Sequence, residues 1–543
     1  MVPIPKVPPI PEQERTPVVV TLLEIVQLQQ ERIQALADEV ARMKGNKGKP
    51  DIKPSQLEKT PASQANPNPG QRPGSAKRSK TAELTIHETK MLKVSNVPAG
   101  SAFKGYEDFT VQGLVLESHN ILYRRECWQA PDGKSIVAPL PQEVEVLGGH
   151  FDLSLIRFVL YQYYQAHVTQ PLILEQLLDI GVEISAGQVN RIITEGHDRF
   201  HREKDEILRV GLEVSGHINV DDTGARHEGK NGFCTMRFQL LRHHIGNEMF
   251  AWFQSTDSKS RINFLELLCA GHKDYVLNDD AMTYMRANHL PLEMLETLDA
   301  HRVRLFADET LWKACLSELA ITDPRHVRIA TEGVLTASVL EHGFNPDMVI
   351  VSDDAGQFNV FLHALCWIHA ERTIHKLVGY TEDQRAILEN ARTQIWDYYQ
   401  DLKAYKTAPS AEKKATLEQR FDEIFTAQTA FASLNRAMRR LHKNKVELLL
   451  VLDRPDIPLH NNTSEGHIRD YVKKRKISGS TRSDLGRQCR DTFASLKKTC
   501  RKLGISFWKF LNDRLSGQGT IPPLPDLIRC RAPAPGARVE STL

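Results

Sequence analysis

The chain has 543 residues, of which 41% are hydrophobic and 25% are charged, so we expect a globular protein with three or more domains. No run approaches the roughly 18 apolar residues of a membrane span, and the proline-rich N-terminus lacks the apolar segment of a secretory signal. The eight cysteines are scattered without a CxxC pair, which argues against a zinc ribbon or a disulfide framework and favours the cytoplasm.

The formal net charge of +2 conceals two basic segments. Residues 42–82 carry ten Lys or Arg against two acids, and residues 467–502 carry twelve against three. Such segments suit a polyanion partner, although a solvated tail is the usual explanation for the first. The second lies within a helical pattern, so it is the stronger indication of a polyanion partner.

The N-terminal part is predicted to be a disordered tail at 1–17, a helix at 18–45 and a basic linker at 46–83. The helix has apolar residues at successive a and d positions of a heptad, with one polar interruption at Gln29. This pattern is typical of a short coiled coil, which would make the protein self-associate, but an amphipathic helix packed on its own protein also fits. The apolar positions are Val19, Leu22, Val26, Ile33, Leu36, Val40 and Met43. The linker is too rich in Pro, Gly and Ser to bury a core.

Residues 84–149 read as short strands and turns, and residues 150–210 read as a helical region with helix–turn–helix character. Gly181 is predicted to end one helix and Ser185 to cap the next. The predicted apolar faces are Leu172, Leu174, Leu177 and Leu178 on the first helix, and Val189, Ile192 and Ile193 on the second. A plain helical hairpin is the more common explanation of such a pattern. If the pair binds DNA, Gln188, Asn190 and Arg191 are the groups able to reach bases or phosphates.

From residue 211 the pattern changes to strands that end in paired acids. GHINVDDTG ends at Asp221 and Asp222, and two alternating segments follow it, which predicts an antiparallel start to a mixed sheet. DMVIVSDDAG is a second apolar strand, and it ends at Asp353 and Asp354. The stretches at about 270–345 and 375–450 are predicted to be helical insertions.

The stretch LHNNTSEGHIRD, residues 459–470, is predicted to begin a helix. Asn, Thr and Ser side chains can accept hydrogen bonds from the free N–H groups of a first helical turn. Glu465 falls in that turn, where the helix dipole favours an acid. An ordinary capped helix explains the stretch by itself.

Three carboxylate positions nevertheless stand out: Asp221 or Asp222, Asp353 or Asp354, and Glu465. Acids at strand ends lie at the sheet edge where ligands usually bind. Their hard oxygens suit Mg²⁺ or Mn²⁺, and three acids from separate elements can hold two ions for phosphodiester chemistry. A strand-terminal Asp that merely forms a turn is the alternative explanation.

Several segments resemble the transposases of the insertion sequence 66 family, over about residues 150–515. The similar segments are VDDTG with KNGF, SDDAGQFN, CWIHAERTIHKL, IPLHNNTSEGHIR, the basic helical C-terminus and PLILEQLLDIGVEISAGQVNRII. The chain departs from the family in two places. Only Cys127 remains of the family's cysteine-rich zinc-binding segment, so zinc is not expected. His460 stands where the family usually has an acid. The spacing between the two aspartates is also long, as an inserted subdomain at 270–345 would make it.

The resemblance implies an α/β fold with an RNase H-like mixed-sheet catalytic core at 211–480 and a basic helical C-terminal region at 481–543. It makes Asp221, Asp353 and Glu465 the catalytic, metal-binding triad for Mg²⁺ or Mn²⁺, with two ions. It implies that the basic residues after Glu465 contact DNA phosphates. These residues are Lys473, Lys474, Arg475, Lys476, Arg482 and Arg487. Cys366 and His369 could begin a zinc site, but no partner pair follows, and a packing role near the second acid is favoured.

The predicted function is therefore DNA transposition, in which a water cuts the element end and the freed 3′-hydroxyl attacks target DNA. The expected partners are DNA, a second copy of the chain and, optionally, accessory proteins, within the nucleoid. Two alternatives remain open on the sequence. One is a non-catalytic DNA-binding relic of a transposase, and the other is a metal-dependent nuclease with a different substrate.

Overall fold

A computed structural model of the chain describes residues 84–141 except 97 and 99, then 150–224, 241–256, 258–479 and 481–532. Nine single residues between 16 and 33 are also described, and eight of them are helical. The rest of the predicted coiled coil, including Leu36, Val40 and Met43, lies outside the described residues. So do the predicted linker at 46–83 and the KNGF segment.

The described residues form nine strands and eighteen α-helices. The strands are β1 (Cys127–Gln129), β2 (Ser135–Val137), β3 (His217–Gly224), β4 (Leu241–Gly246), β5 (Ala251–Thr256), β6 (Tyr275–Val276), β7 (Leu305–Phe306), β8 (Val349–Ser352) and β9 (Leu362–Leu365). The first nine helices are α1 (Leu153–Leu160), α2 (Gln170–Asp179), α3 (Ala186–Thr194), α4 (Asp198–Val214), α5 (Arg261–Leu268), α6 (Asp279–Ala287), α7 (Leu292–Asp299), α8 (Glu309–Glu318) and α9 (Pro324–Glu341). The others are α10 (Trp367–His375), α11 (Glu382–Thr407), α12 (Ala411–Thr426), α13 (Ala432–Lys443), α14 (Lys445–Leu449), α15 (Asn462–Ser478), α16 (Asp484–Lys502), α17 (Phe507–Ser516) and α18 (Leu524–Arg531).

Five strands form the central sheet, in the order β5-β4-β3-β8-β9. The β3–β4 and β4–β5 pairs are antiparallel, whereas the β3–β8 and β8–β9 pairs are parallel. A parallel neighbour requires a crossover, and the chain from β5 to β8 supplies it with helices. The predicted antiparallel start to a mixed sheet is therefore what the structure has.

The sheet separates two hydrophobic cores. Ile350 of β8 packs into the larger core, with Ile218 and Val220 of β3. Its neighbours Val349 and Val351 pack into the second core. Side chains alternate along a strand, so helices cover both faces of this part of the sheet.

Helix α16 covers the open edge of the sheet at β5. Successive outward N–H groups of β5, those of Ala251, Phe253 and Ser255, donate to side chains of α16 at 3.1, 2.9 and 2.8 Å. The acceptors are Thr499 Oγ1, Ser495 Oγ and Asp491 Oδ2. One turn of a helix rises about 5.4 Å, and two residues of a strand span about 6.8 Å. Side chains four residues apart on α16 can therefore match alternate residues of β5. The polar face of the basic C-terminal segment therefore satisfies a sheet edge.

The region before the sheet contains the predicted helix pair α2 and α3. Gly181 adopts a left-handed φ of +81° between them, and Ser185 Oγ accepts a hydrogen bond from Gln188 N at 3.1 Å. The predicted face of α3 is buried, but the predicted face of α2 was partly wrong. Leu172 and Leu178 are 50% and 52% exposed. The buried residues of α2 are Ile173 and Leu177, which share one side of the helix because they are four residues apart.

The chain carries two helical insertions, one between β5 and β8 and one after β9. The first, α5–α9, also contains the small β6–β7 ribbon, which the sequence does not predict. The second, α10–α14, packs around its own aromatic core in the region predicted to be helical. That core includes Trp367, Tyr398, Phe421 and Phe425.

The structure is therefore a mixed α/β fold, as expected. The two short strands β1 and β2 form an exposed hairpin in the predicted strand-and-turn region. Within the described part of the chain, no helix has the length and apolar character needed to cross a membrane.

Candidate functional site

Asp353 directly follows β8, whereas Asp221 lies within β3, which continues to Gly224 because it stays paired with β4 beyond the end of β8, so the predicted strand end at Asp221 was wrong. Asn219 pairs with Val351, and continuing this register by two residues brings Asp353 level with Asp221. Asp221 shares the strand face of Asn219, opposite to the face of the buried Val220. The sheet therefore places one acid from each Asp pair side by side.

The adjacent acids have other partners. Asp222 accepts hydrogen bonds from Lys259 Nζ at 3.0 Å and from Gln357 Nε2 at 2.8 Å. Asp354 is exposed and pairs with Arg440, on a helix of the second insertion. The two members of each pair, which the sequence could not separate, thus lie in different surroundings.

The two level acids repel one another electrostatically. Burial raises the pKa of Asp221 well above its ordinary value, and nearby Asp353, Asp222 and Glu465 raise it further. Burial also raises the pKa of Asp353, although His369 opposes this. A buried group of like charges is stabilised by a cation placed among them.

Glu465 lies in the first turn of α15, where the sequence predicts it. The predicted capping was wrong at Asn461, whose side chain makes no capping hydrogen bond. Asn461 Nδ2 instead donates to Val220 O at 2.7 Å, and Ser464 Oγ bonds to His244 Nδ1 at 2.9 Å. Buried strand groups need partners and compete for these side chains. The start of α15 is thereby fixed to β3 and β4.

Two arginines and a histidine surround the Glu465 carboxylate, which is only 9% exposed. Arg372 donates to both of its oxygens, from Nη1 to Oε1 at 2.9 Å and from Nη2 to Oε2 at 3.3 Å. Arg469, one turn along α15, donates to Oε2 at 3.1 Å. His369 Nε2 lies 3.5 Å from Oε1. Glu465 is therefore held by the protein's own cations.

Helix α10 contributes His369 and Arg372 to the space between the acids. Burial lowers the pKa of His369 below its ordinary value, and nearby Asp353 and Glu465 oppose this shift. The sequence does not predict a site role for Arg372, although its spacing of three residues from His369 indicates a shared helix face. Cys366, just before α10, is buried, and its sulfur accepts the N–H of Asn461 at 3.2 Å. This contact agrees with the favoured packing role of Cys366.

The three acids are less tightly grouped than the ligands of a bound metal. Among the described residues, one set of His, Cys, Asp or Glu ligand atoms lies within 4.8 Å of one another, and it belongs to the first insertion. Asp221, Asp353 and Glu465 are not that set. Arg372 and Arg469 take up the oxygens of Glu465, so this carboxylate would have to exchange partners to ligate an ion.

Five of the six predicted phosphate contacts lie at or near the surface beyond Glu465. They are Lys473, Lys476 and Arg482, which are exposed, and Arg475 and Arg487, which are half-buried. Arg487 forms an ion pair with Asp484 at 3.0 Å. On α3, Arg191 is exposed and Gln188 is half-buried.

Lys474 differs from its neighbours, and the structure contradicts its predicted phosphate contact. The residue is 4% exposed, and its Nζ donates to Tyr163 O at 2.6 Å and lies 3.7 Å from the centre of the Tyr163 ring. Burial lowers the pKa of Lys474 to about 7. Its position on the inner side of α15 is the reason, because neighbours in a basic run point to different sides of a helix.

Comparison with known proteins adds to this geometry. The model of the family described as Transposase IS66 family matches residues 335–489, a segment that contains Asp353 and Glu465. An uncharacterized protein of Sinorhizobium fredii (strain NBRC 101917 / NGR234), y4jO, is 43% identical over 329 residues. The aligned part is 60% of this chain and 100% of that protein. The chain belongs to the IS66 family of transposases.

Proposed function

We propose that the chain is a DDE transposase, which cleaves the ends of its element and transfers them to target DNA by metal-dependent phosphoryl transfer. The observation that carries the proposal is the level position of Asp221 and Asp353 on adjoining strands, with both pKa values raised. Glu465, on α15, supplies the third acid. Asn461, just before that helix, donates a hydrogen bond to Val220 O of β3.

The catalytic core in this proposal is an RNase H-like fold at 211–480. It is supported by a sheet with three antiparallel strands followed by two parallel ones, and by acids on β3, after β8 and on a later helix. The region at 150–210 and the C-terminal region from 481 are assigned to DNA binding. The helices of both regions pack into the larger core beside the sheet.

The donor set fits Mg²⁺ or Mn²⁺, in two sites. Asp221 and Asp353 offer hard oxygens whose mutual repulsion favours a cation. Glu465 joins them only if Arg372 and Arg469 release it. When bound, the ions would supply Lewis acidity and an activated hydroxyl at the phosphodiester.

The residues of α10 have their own roles in this proposal. Arg372 holds Glu465 in place while the site is without metal. Once it is released from Glu465, its positive charge would lie near the scissile phosphate. His369 lies between Asp353 and Glu465, and its lowered pKa keeps the ring neutral near pH 7. A neutral ring adds no positive charge that would compete for the acids.

The proposed DNA-binding surface consists of the exposed or half-buried basic residues of α15 and the following turn and helix, and it excludes Lys474. Lys473 is eight residues beyond Glu465, which is about 12 Å along a helix. A phosphodiester at the acids would therefore have its flanking backbone within reach of this surface. The members of the surface are Lys473, Arg475, Lys476, Arg482 and Arg487. Such contacts are largely independent of base sequence.

Two further assignments belong to the same proposal. Gln188 and Arg191 are assigned to DNA contacts from α3. With these contacts the α2–α3 pair would act as a helix–turn–helix. Two element ends must meet, so the active form contains more than one chain, and the heptad helix at 18–45 is the proposed contact. The DNA substrate would place the activity in the nucleoid.

Cleavage of a plasmid that carries the gene with its native flanking DNA tests the proposal. Purified full-length protein with Mg²⁺ or Mn²⁺ should produce specific 3′-hydroxyl ends and joined products. Asp353→Asn should abolish both products, and Glu465→Gln should do the same. Asp354→Asn is the matched control, because it alters the neighbouring acid that pairs with Arg440, and it should keep the activity.

The other outcomes are equally informative. DNA binding without cleavage by the wild-type protein would favour the non-catalytic relic over the transposase. Cleavage without joining to target DNA would favour a nuclease. Equal loss of activity in the Asp353 and Asp354 variants would contradict the assignment of the second acid.

A further inference from the structure

The one set of closely grouped metal-ligating side chains in the described chain lies in the first helical insertion. His272 and Asp274 belong to the loop between α5 and β6, and His342 follows the last turn of α9. One ligand atom from each residue lies within 4.8 Å of the other two. The group thus joins two segments that are 68 residues apart, between Asp274 and His342.

The contacts within this group are more than a simple ion pair. His342 Nε2 lies 2.8 and 2.9 Å from the two oxygens of Asp274, so both oxygens face one nitrogen. The rings of His272 and His342 stack with centres 3.6 Å apart and planes 8° apart. A ring nitrogen binds a metal in the plane of its own ring, so the exposed His272 ring would turn out of this stack to share an ion with His342.

The surrounding residues fix the arrangement. Ser338, one turn before His342 on α9, donates its hydroxyl to Asp274 O at 2.8 Å. Polar groups that orient a ligand in this way are typical of metal sites. His272 remains exposed, which leaves solvent access on one side.

The group is remote from the proposed catalytic acids. His342 precedes the first residue of β8, Val349, whereas Asp353 follows the last one. Nearby Asn345 bonds to Leu212 O at 3.1 Å and Ser215 O at 2.9 Å, just before β3 begins. The group therefore lies toward the opposite end of the parallel strands, and its role would be structural.

We propose that His272, Asp274 and His342 bind one zinc ion, with water as the fourth ligand. Two imidazoles and one carboxylate suit zinc, and tetrahedral ligand atoms are about 3.3–3.5 Å apart at ordinary zinc distances, which lies within the 4.8 Å that encloses the present ligand atoms. The ion fastens the loop after α5 to the end of α9 and so stabilises the insertion. This inference does not depend on the proposed function.

Metal content of the full-length protein tests the site. Tag-free protein, stripped with a chelator and dialysed against zinc with excess Mg²⁺, should retain about one zinc ion per chain. His272→Gln should weaken zinc binding by at least about 10–100-fold, the range seen when even an outer partner of a metal ligand is removed. His289→Asn, at an exposed histidine in the same insertion with a φ of +60° that Asn tolerates, should bind zinc like the wild type.

Thermal unfolding separates a metal site from a plain ion pair. His272→Gln keeps the Asp274–His342 contact and loses only the exposed ring stack, so its Tm in chelator should be close to that of the wild type. Zinc should raise the Tm of the wild type and of His289→Asn, but not that of His272→Gln. Absence of bound zinc in the wild type, or zinc binding that His272→Gln leaves unchanged, would overturn the proposal.

The wild-type protein alone provides a second readout. Cobalt substituted for zinc should give the visible absorption of a tetrahedral site of nitrogen and oxygen ligands. A strong thiolate charge-transfer band would instead place the metal on a cysteine and contradict this ligand set.

Discussion

Arg372 donates two hydrogen bonds to Glu465, and the two side chains are 11% and 10% exposed. A bidentate pair of this kind is strong because guanidinium and carboxylate have matching geometry. It holds in place the one acid of the proposed triad that does not come from a strand. The same pair also competes with any cation that Glu465 is to bind.

Replacing Arg372 should therefore make the protein more responsive to metal. In chelator, Arg372→Gln should lower the free energy of unfolding by about 1–3 kcal/mol, since a buried carboxylate loses a charged partner. Adding Mg²⁺ or Mn²⁺ should then raise the Tm of the variant by more than it raises that of the wild type. Differential scanning calorimetry with and without metal measures both effects.

Arg392→Gln is the matched control for this prediction. Arg392, on α11, donates to the buried Glu371 at 3.1 and 3.2 Å. Glu371 lies on α10, like Arg372, but outside the acid group. Its loss should destabilise the protein without changing the response to metal. A metal response that is the same in Arg372→Gln as in the wild type would show that the two cations do not compete.

The buried acids predict how stability depends on pH in the metal-free protein. The pKa of Asp221 is raised in the folded state, so its contribution to stability is complete below the ordinary pKa of an aspartate and is lost as the pH rises through the folded value. Asp353, whose pKa is also raised, acts in the same direction. In chelator the contribution of these two acids to stability should thus fall as the pH rises above about 4.

Asp221→Asn should flatten this loss, because the amide carries no charge to bury. Urea unfolding at pH values from 5 to 8, with chelator throughout, would measure the change. Asp354→Asn should leave the pH profile close to that of the wild type, since Asp354 is exposed. If both variants had the wild-type slope, the repulsion between Asp221 and Asp353 would not limit stability.

The contacts between α16 and β5 give a prediction about stability rather than catalysis. Ser495→Ala removes the acceptor of the Phe253 N–H, which is buried and would be left without a partner. An unsatisfied buried donor costs about 1–3 kcal/mol of the free energy of unfolding. Ser317→Ala, at an exposed serine whose hydroxyl bonds within its own helix, should cost much less. Equal losses in urea unfolding would mean that water satisfies the strand edge.

These side chains also show where prediction from sequence stops. The pattern of apolar residues predicts β8, the first part of β3 and the two helical insertions, and the polar residues before Glu465 predict the start of α15. It cannot predict that Asp491, Ser495 and Thr499 accept hydrogen bonds from a strand some 240 residues earlier, because those bonds depend on tertiary contact alone. A basic segment with polar residues four apart looks the same whether it faces solvent or a sheet.

The candidate site divides in the same way. The resemblance to the insertion sequence 66 family implies Asp221, Asp353 and Glu465 as a group, but it does not indicate their partners. Arg372 reaches Glu465 across 93 residues, and nothing in the spacing indicates it. The buried position of Lys474 within a basic run is also set by tertiary packing against Tyr163, so composition overestimates the charge on the surface.

The proposed DNA-binding surface makes a quantitative prediction about salt. Each phosphate contact contributes about 0.9 to the slope of log K against log salt concentration on duplex DNA. Neutralising Lys473, Lys476 and Arg482 together to Gln should therefore lower the slope by about 2–3 and weaken binding to all sequences alike. Fluorescence anisotropy with a labelled duplex, at several salt concentrations, measures the slope. The control replaces the exposed Arg286, Arg302 and Arg325 of the first insertion with Gln, which removes the same charge from another surface. If the control lowers the slope as much as the α15 variant, net charge rather than this surface determines DNA affinity.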